Sequence, residues 1–504
     1  MSPFILINIF ILISLTNCDK LVFVSIHFRH GARAPMKVDE YYKDHAKEKW
    51  TNPGELTGIG QRMLYILGLR NRLRYITDNQ FLSEKFDSHE ILIYSSAFNR
   101  TLLSAYAMLQ GLYPQSDELG ERLDEVQERL AVPDIKYNYP SIEEKIKQIK
   151  GAALPNLMTL IPVRMINDNE RKITLYDIGE CGKVRDQIKA NNRKTLPILI
   201  KMEKEFNELY AEKLDNFYRE KKVYDYLFMN RFCDAVVSGI TDGRNLTEFK
   251  EKVVDPLSIK NYCYEVQLLN YREHILGDKD HILAPLEASK LMKEIIYYMK
   301  KRIVIDIRQL KVEEDYLDYS NPKMVMISGH DSTIACHEMF LLNCLNLDIE
   351  KNFKLPKYGG QFALEITRRG ATTEEVRNMT LKDYFVNYYF NDELIFTISV
   401  DEFINKVEPR LWTDKQIDDF CGFNQNNNEN ENENKNENKN ENENKNEIFT
   451  NYSIVIMSGG ILLALFLIFL TTTIILCVKI AKMNKPVVKK ETNIAMVDLS
   501  NVNE

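Results

Sequence analysis

Charged side chains suited to phosphate chemistry follow three apolar segments of this 504-residue sequence, at 21–28, 91–95 and 324–328. These side chains are Arg29, His30, Arg33, Arg100, His330 and Asp331. Three guanidinium groups can cover the oxygens of a tetrahedral dianion and neutralise its charge, so such a site needs no magnesium. A histidine can attack phosphorus, and a carboxylic acid can protonate the departing oxygen. The residue types therefore predict a metal-free site for phosphoryl transfer.

Each of these residues also has a structural interpretation when it is taken alone. Asp331 could cap the helix that follows it, and Arg100 could lie on a solvated helix face. His27 lies inside an apolar run, and we interpret it as a core histidine without a chemical role. The functional interpretation is favoured because charged residues recur at the ends of all three runs.

The elements that must position these residues repeat one pattern, in which an apolar strand leads through a polar loop to an amphipathic helix. Thr57 is the expected N-cap of the first helix. The second helix is expected to bury a stripe formed by Leu102, Leu103, Tyr106 and Leu109. Parallel strands would bring the three strand ends to one edge of a sheet, where α/β proteins bind ligands. Residues 123–312 show mostly helical periodicity and predict an inserted helical domain.

Composition excludes some classes of protein and ligand. The net charge of −7 argues against a general nucleic-acid-binding protein. No CxxC pair or His/Cys cluster has zinc-ligand spacing, and we expect neither a metal nor another cofactor. The expected partner of the site is a small phosphomonoester.

The two ends of the chain predict membrane anchorage. Residues 1–18 contain a short apolar segment typical of a signal peptide. Residues 454–478 carry no charge and are long enough to cross a bilayer, and the lysines after them predict a cytosolic tail at 479–504. Residues 424–453 begin with an Asn/Glu/Lys-rich stretch that predicts a disordered stalk. The main domain, 19–423, would then face the lumen or the cell exterior in a type I topology.

Cysteines and glycosylation motifs fit an oxidising compartment. Six cysteines of the lumenal part could form three disulfides in fifteen ways: Cys181, Cys233, Cys263, Cys336, Cys344 and Cys421. Asn245, Asn378 and Asn451 head glycosylation motifs, and so does Asn99, where a glycan would crowd Arg100.

Four motifs together resemble the histidine acid phosphatases: RHGARAP at 29–35, ELTGIG at 55–60, NRTLLSA at 99–105 and SGHDST at 328–333. The resemblance covers about residues 20–422. It implies a mixed, mostly parallel α/β sheet with helices on both faces and a smaller inserted helical domain. The predicted activity is hydrolysis of phosphate monoesters in the secretory pathway, at the lysosomal or plasma membrane. Whether the chain forms a homodimer stays open.

The resemblance also implies a role for each candidate residue. His30 is the nucleophile that becomes phosphorylated, and Asp331 is the general acid. The phosphate-binding residues are Arg29, Arg33, Arg100 and His330. Pairing of Cys181 with Cys421 is implied as well.

The sequence differs from the family pattern in two places. Residues 94–97 read YSSA where relatives often have an RSTD-like run, and the tail lacks the tyrosine of a lysosomal sorting signal. Rival hypotheses are a phytase, a lysophospholipid phosphatase, and a non-catalytic membrane receptor that kept the fold.

Overall fold

The computed structural model describes most of the chain between Asp19 and Cys421. The described residues are 19–36, 50, 52–116, 119–132, 144–145, 148–149, 151–166, 181–218, 224–244, 251, 256–276, 283–308 and 321–421. The chain divides into two units, Met1–Cys421 and Gly422–Glu504, and all described residues belong to the first.

Seven strands form one mixed sheet. They are β1 (Lys20–Arg29), β2 (Ile91–Ser96), β3 (Arg164–Ile166), β4 (Met324–Gly329), β5 (Gln361–Arg368), β6 (Tyr384–Phe390) and β7 (Glu393–Ser399). Their spatial order is β3-β2-β4-β1-β5-β6-β7. Neighbours from β3 to β1 pair in parallel, and neighbours from β1 to β7 pair antiparallel. The mixed sheet predicted from the sequence is confirmed.

Helices of the described residues cover both faces and build a separate helical part. They are α1 (Gly58–Arg72), α2 (Asn99–Leu112), α3 (Glu125–Leu130), α4 (Gly182–Tyr218), α5 (Tyr226–Thr241), α6 (Pro256–Leu276), α7 (Leu283–Arg308), α8 (Asp331–Cys344), α9 (Ile349–Asn352), α10 (Thr373–Arg377), α11 (Val400–Val407) and α12 (Asp414–Cys421). The side chain of Thr57 accepts a hydrogen bond from the Gly60 amide and caps α1, as expected. A π-helical turn over Leu73–Asp78 continues α1.

Strand β1 is buried on both faces because it lies in the middle of the sheet. Val24, Ile26 and Phe28 pack into the apolar cluster under α1 and α2. Phe23 packs on the opposite face, in the cluster that α7, α8 and α11 cover. The second face also buries Ser25 and His27, so both faces of β1 are buried although only one of them is apolar throughout.

The buried face of α2 differs from the predicted one. Leu103 and Tyr106 are 43% and 47% exposed, whereas Thr101, Ser104 and Ala105 are fully buried. The first part of the inward face is small and polar because it contacts the strand ends, and the Ser104 hydroxyl accepts a hydrogen bond from the Gly31 amide. The second part is apolar and buries Met108, Leu109 and Leu112. The predicted stripe is confirmed at Leu109 and wrong at Leu103 and Tyr106, because hydrophobic periodicity cannot detect a small polar face.

Part of the region predicted as a helical insertion, 123–312, belongs to the sheet layer. Strand β3 pairs with β2, and α7 packs in the cluster on the sheet. The helices with an apolar cluster of their own are α4, α5 and α6, whose buried members include Phe206, Phe232 and Val266.

Two disulfides form among the described cysteines. Cys181 pairs with Cys421, as the resemblance implies, and Cys233 pairs with Cys263 between α5 and α6. Cys336 and Cys344 are buried free thiols, so the third disulfide that the sequence allowed is absent. Both lie on α8 eight residues apart, about 12 Å along a helix, which exceeds the reach of a disulfide.

The predicted membrane span, signal peptide and stalk fall outside the described residues. Of the helices that the structure does describe, none combines the length and apolar character needed to cross a bilayer.

Candidate functional site

The ends of β1, β2 and β4 meet at one edge of the sheet and carry the six predicted site residues. Arg29 lies opposite Gly329 in the β1/β4 register, and Ser95 lies opposite Ser328 in the β2/β4 register. The structure thus brings together the charged residues that sequence reasoning placed at separate strand ends. We call this group, Arg29, His30, Arg33, Arg100, His330 and Asp331, the clamp.

His30 is oriented for attack through one ring nitrogen. Its Nδ1 lies 2.9 Å from the Gly31 carbonyl oxygen, so Nδ1–H donates and Nε2 keeps its lone pair. The residue is 2% exposed. Burial, together with the positive charge of Arg29, holds the pKa of His30 well below its usual value. The lowered pKa favours the neutral imidazole, which is the form that can attack phosphorus.

Arg29 joins the clamp to the start of α8. One terminal nitrogen donates to the Pro356 carbonyl oxygen at 2.8 Å, and the other pairs with Asp331 Oδ2 at 2.8 Å. Helix α8 begins at Asp331 itself, with His330 in the capping position, so Asp331 is not the N-cap. Its Oδ1 accepts from the Ser332 amide at 3.0 Å. One carboxylate oxygen of Asp331 therefore faces the clamp, while the other accepts from a first-turn amide of α8.

Arg33 is held by an acid that sequence reasoning missed. Its two terminal nitrogens donate to Asp234 of α5 at 2.9 and 3.3 Å, and one of them also donates to the Ala34 carbonyl oxygen. Asp234 Oδ2 additionally accepts from the Met36 amide at 2.8 Å. Burial opposes the charge of Arg33, but Tyr358 and Asp234 more than offset it and raise its pKa. The pair forms because α5 packs against the loop that follows β1, and no local sequence pattern indicates it.

Arg100 and His330 are linked to the end of β2. A terminal nitrogen of Arg100 lies 3.4 Å from His330 Nδ1, and His330 Nε2 lies 3.1 Å from the Ser96 hydroxyl. Burial and the nearby Arg100 charge lower the pKa of His330 to about 4. Neutral His330 then accepts at Nδ1 and donates from Nε2. Arg100 sets this tautomer because a guanidinium group can only donate, and the hydroxyl of Ser96, one of the residues that depart from the family pattern, then accepts from Nε2.

Tyr358 is a second site residue that sequence reasoning missed. It lies in the loop before β5, and its ring centroid is 4.3 Å from Arg29 Cζ and 5.9 Å from Arg33 Cζ. The same ring is 5.7 Å from the His30 ring. Its hydroxyl lies 3.3 Å from that of Ser238 on α5. Tyr358 therefore forms an aromatic wall between the clamp and the helical part.

The three arginines of the clamp share one feature that suits an oxyanion. The Nε atoms of Arg29, Arg33 and Arg100 are buried and have no hydrogen-bond partner among the described residues. Protein acceptors occupy terminal nitrogens of Arg29 and Arg33, so the Nε–H groups remain as donors. Phosphate oxygens are strong acceptors for such donors.

The loop that carries the clamp packs backbone to backbone against α1. A Cβ on Gly31 would lie 2.3 Å from the Gly60 carbonyl oxygen, and one on Gly60 would lie 2.1 Å from the Ala32 carbonyl oxygen. Neither position has room for a side chain. The two glycines of RHGARAP and ELTGIG thus form one contact that sets the course of the loop.

His27 is a buried core residue, as expected from its place in the apolar run. Its Nδ1 lies 3.0 Å from Nδ1 of His337 on α8, and its Nε2 lies 3.2 Å from the Ser25 hydroxyl. Burial lowers the pKa of both histidines, that of His337 to about 3. The pair does not touch the clamp.

Known proteins resemble this chain over most of the described region. The family model of the histidine phosphatase superfamily (branch 2) matches residues 20–391. Prostatic acid phosphatase of Homo sapiens is 24% identical over 401 residues, which cover 74% of this chain and 78% of that protein. Lysosomal acid phosphatase of Xenopus laevis is 38% identical over 112 residues, 22% of this chain and 25% of that protein. The chain thus aligns with about a quarter of the length of this last relative.

A solved phytase from Citrobacter braakii is 15% identical, with a TM-score of 0.48, over 80% of this chain and 99% of that one. The family match covers well over half of the chain and includes the ends of β1, β2 and β4. The chain belongs to branch 2 of the histidine phosphatase superfamily.

Proposed function

We propose that the chain is an acid phosphatase that hydrolyses phosphate monoesters through a phosphohistidine on His30. The observation that carries the proposal is the orientation of His30, whose Nδ1–H donates to Gly31 so that Nε2 is the nucleophilic atom. A neutral imidazole among three guanidinium groups combines a nucleophile with counter-charge for a dianion. The counter-charge comes from the arginines, so the proposed reaction uses no metal.

In the first step, His30 Nε2 forms a bond to phosphorus while the ester P–O bond breaks. The departing oxygen takes a proton from Asp331 and leaves as an alcohol. The substrate phosphate competes with Asp331 for Arg29, which opens the 2.8 Å ion pair of the free protein. A carboxyl group next to a dianion favours its protonated form, as a general acid requires.

In the second step, water attacks phosphorus of the phosphohistidine and gives its proton to Asp331. The P–N bond breaks, inorganic phosphate leaves, and His30 returns to its neutral form. The clamp holds the same phosphoryl oxygens in both steps, with Arg33 fixed by Asp234 and His330 fixed by Ser96. Fixed donors of this kind need no reorganisation as charge develops.

Trapping of the intermediate tests the proposal. The protein is mixed with a phosphate-labelled monoester at pH 5 and quenched in alkali, because acid destroys phosphohistidine. We expect alkali-stable, acid-labile label on the wild type and none on His30→Ala. Equal labelling of both proteins would contradict the role of His30. A wild type that hydrolyses no monoester would favour the receptor hypothesis.

We further propose that the enzyme is a glycosylated, single-pass type I protein of the lysosomal or plasma membrane. The apolar segment 454–478, the lysines after it and the signal-like residues 1–18 support this proposal. Two disulfides suit an oxidising compartment, and Asn378 is an exposed acceptor. Carbonate extraction of membranes should leave the full chain in the pellet and release a chain that ends at residue 423.

A further inference from the structure

A cavity of about 570 Å³ adjoins the clamp, and the proposed mechanism leaves it without a role. It lies between the loop before β5 and the helices α5 and α6. Arg29 and Tyr358 line this cavity and also belong to, or contact, the clamp. The cavity therefore borders the clamp at Arg29 and Tyr358.

The cavity is positively charged. Lys260 of α6 and Lys357 contribute ammonium groups, and none of the described lining residues is acidic. Lys260 is half-buried and Lys357 is exposed. Lys357 Nζ lies 6.0 Å from the Tyr264 ring centroid, so its charge stands over an aromatic wall. Two cations in a lining whose described residues include no acid, beside an arginine-rich site, favour an anionic ligand group.

The rest of the wall is largely apolar. Leu355 is 5% exposed, and Val237 and Met63 line the same space. The aromatic rings of Tyr264 and Tyr358 add flat surfaces. A purely polar ligand would make no apolar contacts with this surface, whereas a ligand with a hydrocarbon or aromatic frame would bury it.

We propose that this cavity binds the alcohol part of the substrate, and that the preferred substrate is a phosphate monoester with an apolar frame and a second anionic group. This inference rests on the proposed phosphatase activity. The reacting phosphate lies in the clamp, the frame lies against Tyr358 and Leu355, and the second anion lies between Lys260 and Lys357.

Three matched substrates test the inference: hexyl phosphate, 6-phosphooxyhexanoate and 1,6-hexanediol bisphosphate. They share the reacting group and the six-carbon frame, and they differ only in the distal group. The full-length protein is assayed at pH 5 as wild type, Lys260→Met and Lys357→Gln. Lys351→Gln, at an exposed lysine of α9 that does not line the cavity, is the matched control. Hydrolysis of p-nitrophenyl phosphate reports the integrity of the clamp.

We expect the two anionic substrates to exceed hexyl phosphate in kcat/KM by about 30-fold, after correction for the two equivalent ends of the bisphosphate. Lys260→Met should lose about tenfold of this preference, and the exposed Lys357 should account for about threefold. The losses should appear in KM, because the distal group binds equally in the ground and transition states. Hexyl and p-nitrophenyl phosphates should change less than about twofold in every variant.

Three outcomes would overturn the inference. Hydrolysis of all three substrates with no preference for a distal anion would leave the phosphatase activity standing and refute the role of the cavity. Equal losses on all substrates in the lysine variants would show that the lysines act on the reacting phosphate. Failure of the wild type to hydrolyse any monoester would remove the proposed function and this inference together. A higher kcat/KM than that of hexyl phosphate for the bisphosphate alone would support the inference and identify phosphate as the second anion.

Discussion

The buried pair of His27 and His337 makes stability depend on pH in a way that can be calculated. We consider the double variant His27→Leu/His337→Leu, which replaces both rings by apolar side chains of similar size. In the folded protein both histidines stay neutral in acid, because burial lowers their pKa values. In the unfolded chain each takes up a proton near pH 6.5. Acid therefore stabilises the unfolded state relative to the folded one.

The magnitude follows from the difference between the two pKa values. The stability due to a neutral His337 is fully present above pH 6.5 and is lost as pH falls toward its folded pKa of about 3. At pH 4.5 the pKa of a histidine in the unfolded chain lies about two units above the solution pH. This difference lowers the free energy of unfolding by about 2.7 kcal/mol. Burial also lowers the pKa of His27, so its contribution has the same sign, and the pair costs at least about 2.7 kcal/mol at pH 4.5.

Urea unfolding at pH 7.5 and pH 4.5 measures this effect. The wild type should lose at least about 2.7 kcal/mol more than the double variant between the two pH values. Any packing change caused by the leucines is present at both pH values and cancels. His89→Gln, which removes a partly exposed histidine, should shift the difference by no more than about 0.5 kcal/mol. Equal pH dependence of the wild type and the double variant would refute the reasoning.

The remaining predictions concern the clamp and its surroundings. Asp331→Ala should lose about 10² to 10⁴ in rate on alkyl phosphates and much less on a nitrophenyl phosphate, whose leaving group needs no proton; equal losses would argue against a general acid. Asp234→Asn should lower kcat/KM about tenfold because Arg33 loses its fixed orientation, whereas Asp242→Asn at the end of the same helix should change it by less than about twofold. Glycopeptide mass spectrometry should find Asn99 unmodified, because a glycan there would crowd the neighbouring Arg100 of the clamp, and should find the exposed Asn378 modified. Extensive modification of Asn99 in active enzyme would contradict the site geometry.

The sequence predicts the sheet side of the site well, because local pattern and a general rule suffice there. Apolar runs locate β1, β2 and β4, and the parallel arrangement places Arg29, Arg100 and His330 at one edge. The family match confirms the family that four short motifs indicated. These inferences need no knowledge of how distant segments pack.

The helical side of the site could not be predicted in the same way. Asp234 is one aspartate within a long helical region, and its pairing with Arg33, 201 residues earlier, exists only through tertiary packing. Tyr358 lies in a loop without periodicity. The first part of α2 buries the polar residues Thr101 and Ser104 because they bond to the strand ends, so hydrophobicity does not identify the buried side there.

The backbone contact between Gly31 and Gly60 affects the entropy of ligand binding. A loop that must become ordered around phosphate loses about 1–2 kcal/mol of conformational freedom for each residue it fixes. Here α1 already holds the loop. Gly31 and Gly60 are in contact through main-chain atoms, and the Thr57 amide donates a hydrogen bond to the Ala32 carbonyl oxygen at 3.0 Å. The loop therefore loses its conformational entropy when the chain folds, not when the ligand binds. Phosphate therefore meets guanidinium groups on a loop that is already ordered, and its binding free energy is available for discrimination among substrates.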